Sequence, residues 1–120
     1  MSDLIRPPLD RPEVDPKKLA QLRQMVGEAR IGKLLAAFRA EVAAGIASIR
    51  RDEAAGNREA VATIAHSLKG AAANLGATRL SEAGRALQDG ARGDAALAPL
   101  VAELEAAAQI VIGPDASFGT

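Results

Sequence analysis

Residues 65–77 read Ala65-His66-Ser67-Leu68-Lys69-Gly70-Ala71-Ala72-Ala73-Asn74-Leu75-Gly76-Ala77, and they hold the only histidine of a 120-residue chain that has no Cys, Trp or Tyr. Which way His66 points decides what this stretch is for. From Arg58 to Leu75 the sequence reads as one helix. Asn57 after Gly56 suits the N-cap, Glu59 sets a carboxylate in the first turn where the helix dipole favours it, and Gly76 is a natural stop. At roughly 100° per residue, Val61, Ile64, Leu68, Ala71 and Leu75 share one stripe. His66 projects from nearly the opposite side, together with Glu59, Ala62, Lys69, Gly70 and Ala73. The imidazole is expected in solvent.

Its neighbours are as informative as its exposure. Lys69 follows one turn on, Gly70 at i+4 and Ala73 at i+7, so the surface beyond the ring carries little side-chain bulk. Glycine inside a helix costs about 1 kcal/mol relative to alanine, and close approach by another molecule is a reason to bear that cost. An exposed imidazole is largely unprotonated at neutral pH and is a competent nucleophile. Lys69 would bring a mobile positive charge to a phosphoryl group on its distal nitrogen. From these residues alone, a surface histidine without a role stands beside that reading.

The run from His66 to Ala77 resembles the signature of histidine-containing phosphotransfer (HPt) domains. The matching positions are His66, Leu68, Lys69, Gly70, Ala73, Leu75, Gly76 and Ala77, followed by Leu80 and Leu87-Gln88. The likeness runs from about Glu13 to Ile112. It implies an all-α protein, an antiparallel up-down four-helix bundle with a short extra N-terminal helix. It also implies that His66 is the phosphoacceptor, that Lys69 compensates phosphate charge and that Gln88 orients the histidine. Receiver domains of response regulators or hybrid histidine kinases would dock on the face holding Ala62, Gly70, Ala73, Arg85 and Arg92, with a histidine kinase as a direct donor. Mg²⁺ would come from the receiver, with no cofactor bound by this chain. Ala71 and Ala72 depart from the family, standing where serines are often found.

The rest of the chain suits a bundle. Residues 1–14 carry Pro7, Pro8 and Pro12 among charges and read as an extended arm. Asp15-Pro16 starts a short helix through Leu19, Leu22 and Val26 that closes at Gly27. The longest helix is expected from Ala29 to about Ala55, with Ile31, Leu34, Leu35, Phe38, Val42, Ile46 and Ile49 as its core face. The short turn at Gly56-Asn57 makes the next helix antiparallel. After Gly76, Thr78 is expected to cap a helix that buries Leu80, Gly84, Leu87 and Ala91. Ser81, Arg85, Gln88 and Arg92 form its flank, and counting back from the turn sets Gln88 level with His66. Ala98-Pro99-Leu100 opens a last helix, with Leu97, Leu100, Val101, Leu104, Ala107, Ala108 and Val111 inward. The bundle domain is thus 15–112, and 113–120 read as a flexible tail.

Composition narrows the functions. Fifteen basic and fifteen acidic residues cancel, which gives no ground for nonspecific nucleic-acid binding. The absence of cysteine removes thiolate metal sites, and a single histidine argues against any metal centre. No apolar run approaches the ~20 residues needed to span a bilayer, and the N-terminus does not read as a signal peptide, so a cytoplasmic protein is expected. There is no phosphate-cradling Gly-rich loop and no kinase catalytic set. A monomeric phosphocarrier without kinase activity of its own fits. Two rivals remain: a non-phosphorylated helical adaptor using the same face, and a dimerisation bundle of the kind that presents the histidine in sensor kinases.

Overall fold

The structure is a computed structural model that describes residues 13–114, 116, 118 and 119. Among these it holds five helices and no strand: α1 (Pro16–Val26), α2 (Glu28–Ala54), α3 (Arg58–Leu75), α4 (Thr78–Arg92) and α5 (Leu97–Ile112). Connections of two to four residues (55–57, 76–77 and 93–96) leave each helix no choice but to fold back on its predecessor. Helix α2 packs on α3 and α5, α3 on α4, and α4 on α5, which closes a four-helix bundle; α1 lies across α2 and α3.

Helix ends follow the local chemistry. The Asp15 side chain accepts from the Lys17 N–H, and the Asn57 side chain from the Ala60 N–H. Gly76 sits at φ 80°, a left-handed conformation that glycine adopts without steric cost. From there the Ala77 N–H reaches the Ala72 carbonyl at 2.9 Å, and the Gly76 N–H reaches Ala73 at 3.3 Å, the paired bonds of a Schellman stop. A Cβ at Gly76 would also lie 2.7 Å from the Asp15 carbonyl oxygen. The turn into α4 is therefore both tight and fixed.

Several expectations need correction. Leu34 keeps the apolar rhythm of α2 yet is 42% exposed, because it lines an open groove between α1, α2 and α3. Thr78 is not the cap of α4: the N-cap is Ala77, with no side-chain bond. Main chain from before α1 does that work, since the Arg79 N–H donates to the Glu13 carbonyl (3.2 Å) while the Asp15 N–H donates to that of Gly76 (2.7 Å). The expected arm falls outside the described residues over 1–12; at its end, Val14 packs against the core and Glu13 pairs with Arg79 at 3.0 Å. Last, Phe118 and Gly119 of the expected tail lie against the bundle. Phe118 is buried against Phe38, with ring centroids 5.8 Å apart, and its carbonyl accepts from Arg39 Nη2 at 2.6 Å.

The core of α3 is rotated from the expected stripe. Val61, Ala65, Leu68, Ala72 and Leu75 are buried, whereas Ile64 and Ala71 are only half-buried at its edge. Gly45 of α2 receives Leu68, whose side-chain carbons lie 3.0–3.2 Å from where a Cβ would be. Small residues thus let α3 settle deeply between its neighbours.

Candidate functional site

His66 is exposed on α3, as its position opposite Leu68 requires. Beneath it lies Gln88 of α4, the buried polar side chain of the core at 3% exposure, with Nε2 3.1 Å from His66 Nδ1. The tight turn at Gly76-Ala77 explains the meeting. Two antiparallel helices leaving one turn pair residues at equal distances from it, and Arg58 at the far end keeps the register. Its guanidinium donates to the carbonyls of Gly90 (2.7 Å), Ala91 (3.3 Å), Gly93 (3.0 Å) and Ala95 (2.8 Å), which closes the C-terminal end of α4.

With Nδ1 engaged below, the ring presents Nε2 to solvent. The amide of Gln88 can meet Nδ1 with either end. Its N–H₂ donates to an unprotonated Nδ1, which puts the ring proton on Nε2. Turned over, its Oε1 accepts from Nδ1–H, and the Nε2 lone pair then faces outward as a nucleophile. A buried amide without another partner makes one of these bonds obligatory, since leaving it unpaired costs about 1–3 kcal/mol.

Beside the ring is an open depression of about 460 Å³, lined by Lys69, Gly70 and Ala73 from α3 and by Ser81, Arg85, Gln88 and Arg92 from α4. Lys69 is half-buried, while Gly70, Ala73, Arg85 and Arg92 are exposed. No ion pair among the described residues engages Lys69, Arg85 or Arg92. A Cβ on Gly70 would meet no atom within 4 Å, so nothing inside the molecule requires glycine there.

Ala62 is the expected surface residue that is not at the surface. It is 5% exposed. Gln88 meets His66 and Arg58 meets Ala91 on either side of it, so Ala62 sits in the α3–α4 seam rather than on the open face. Two acids that the helix pattern does not single out, Glu82 and Asp89, also line the depression and temper its positive charge. The sequence marks Gly84 only as part of the buried stripe of α4; the structure also sets it against the α3 backbone.

A larger concavity of about 610 Å³ has a mainly apolar floor of Leu22, Met25, Leu34, Phe38 and Leu75, with Lys18, Gln21, Glu41 and Asn74 also lining it, and holds no histidine. Chemistry, not size, selects the His66 face. Among the described residues no three His, Cys, Asp or Glu side chains converge, and no helix is long and apolar enough to cross a membrane.

The comparisons with known proteins point the same way. A family model described as Hpt domain matches residues 33–112. The chain is similar to the crystal structure of histidine-containing phosphotransfer protein B (HptB) from Pseudomonas aeruginosa PAO1, with a TM-score of 0.78 and 31% sequence identity over 85% of this chain and 90% of that one. Comparison with curated proteins gives no match.

Proposed function

The chain belongs to the Hpt domain family of phosphorelay proteins, and on that premise we propose that His66 accepts a phosphoryl group from a receiver-domain phosphoaspartate and passes it to a response regulator. The observation that carries this reading is the exposed imidazole whose inner nitrogen is engaged by a buried glutamine. In the reacting tautomer Nδ1–H donates to Gln88, and the Nε2 lone pair attacks phosphorus in line. The N–P bond forms as the P–O bond to the aspartyl carboxylate breaks, and that carboxylate leaves as the anion. The proton stays on Nδ1, where Gln88 shares the positive charge that develops on the ring.

Lys69 offsets the phosphoryl charge from the adjacent turn. Gly70 and Ala73 leave room for the receiver, and Arg85 and Arg92 meet its acidic rim. Mg²⁺ and most of the charge stabilisation come from the receiver. This chain supplies position, which is the larger share of what phosphoryl transfer demands. A histidine kinase is the other donor class, the carrier works as a monomer in the cytoplasm, and it has no kinase activity of its own.

The test is transfer from a radiolabelled phosphoreceiver, or from acetyl phosphate, to wild type and His66→Gln. Label on the wild type alone, lost in acid and kept in alkali, with helicity retained and a stability loss no larger than the about 1–3 kcal/mol of an unpaired Gln88, is the expected result. Label retained by His66→Gln, or a wild type that takes none from any donor, would overturn it and leave the adaptor reading.

A further inference from the structure

The seam between α3 and α4 is tied at successive levels down to the histidine. Ser81 Oγ donates to the Lys69 carbonyl at 3.1 Å. Gly84, one helical step further, is buried directly against the α3 backbone. A Cβ there would stand 3.2 Å from the Ala65 carbonyl oxygen and 3.3 Å from both the N and the Cβ of Lys69. One turn beyond, Gln88 meets His66. These levels lie on one face of α4, spaced three and four residues apart.

Contacts that short oblige something to move, and main-chain atoms in the middle of a hydrogen-bonded helix cannot give way singly. A methyl group at 84 would therefore push α4 outward from α3 by a few tenths of an ångström. The Gln88–His66 bond, at 3.1 Å, already stands near the long end of the range in which such bonds are strong. It cannot absorb that displacement and stay fully formed.

We propose that Gly84 is a positioning residue for the phosphoacceptor: by having no side chain, it sets the α3–α4 separation at which Gln88 reaches His66 Nδ1 and orients the ring. Gly84 touches neither the ring nor a partner and acts through Gln88. The claim rests on the phosphocarrier reading for its consequence in transfer, and on geometry alone for its effect on the ring.

The experiment uses the full chain as wild type, Gly84→Ala, Gln88→Ala and the double variant. The ¹⁵N shifts of His66 Nδ1 and Nε2 report the tautomer directly. Gly84→Ala is expected to move them from the wild-type values toward those of Gln88→Ala. Labelling by acetyl phosphate should slow about threefold to tenfold, the worth of one hydrogen bond. In the Gln88→Ala background the same substitution should slow it no further, because the bond it disturbs is gone. Helicity should be retained in each variant. Wild-type nitrogen shifts in Gly84→Ala, or an equal rate loss in both backgrounds, would overturn the proposal. A wild type that no donor labels would instead defeat the phosphocarrier reading, and the nitrogen spectra would still decide whether Gly84 sets the ring.

Discussion

Gly70 and Gly84 lie on facing helices near the same histidine, and they lack a side chain for opposite reasons. Around Gly70 the space is empty to 4 Å; around Gly84 the backbone of α3 presses to within 3.2–3.3 Å of where a Cβ would sit. The fold tolerates the first glycine and needs the second. One absence makes clearance outside the molecule, the other makes closeness within it. Together they divide the His66 region into an open outer layer and a closely packed inner layer against which the ring is set.

The widest separation between the layers should come from a large side chain. Gly84→Leu must part α3 from α4, and overpacking of that kind costs about 3 kcal/mol. A urea titration measures it, and a loss below about 1 kcal/mol would mean that the seam is looser than its distances imply. Ala62→Leu belongs with it. If Ala62 is part of the seam, as its 5% exposure says, the larger side chain should cost about 2 kcal/mol. A neutral result would return Ala62 to the outer face.

Ala62 also marks where the sequence stopped being legible. The bounds of α3, the exposure of His66 and its pairing with Gln88 could all be read, because a 3.6-residue period and a tight turn at Gly76 fix direction and register along two helices. Period alone says only which way a side chain leaves its own axis. Whether that direction is solvent depends on how closely the neighbouring helix lies, and that in turn depended on Gly84. The same gap explains Leu34, apolar and in rhythm, but beyond the cover that α1 provides. Phe118 and the capping of α4 by Glu13 arise from chain returning after a long separation, for which local pattern carries no signal.

On the outer layer the expected effect is on transfer and not on folding. Gly70→Leu should lower the rate from a phosphoreceiver at least about tenfold, equivalent to roughly 1.4 kcal/mol, because the side chain would stand where the receiver must sit. Labelling by acetyl phosphate, which needs no docking, should be unchanged, and the melting temperature should not fall, since leucine is also a better helix former than glycine. Equal loss with both donors would place Gly70 in the chemistry and erase the distinction between the layers.

The smallest change is the most direct comparison, since it makes the same substitution on both sides. Gly70→Ala puts a methyl group into open space and removes the backbone entropy of glycine, so it should stabilise the bundle by about 0.5–1 kcal/mol. In a domain of this size that raises the melting temperature by a few degrees. Gly84→Ala gains the same propensity but sets its methyl against Ala65 and Lys69, so its net gain should be smaller or reversed. The difference between the two melting shifts isolates the cost of closeness at the seam, free of the propensity term that they share. Were both variants stabilised equally, the α3 backbone would be yielding to the methyl group without strain, and Gly84 would have no hold on the position of Gln88.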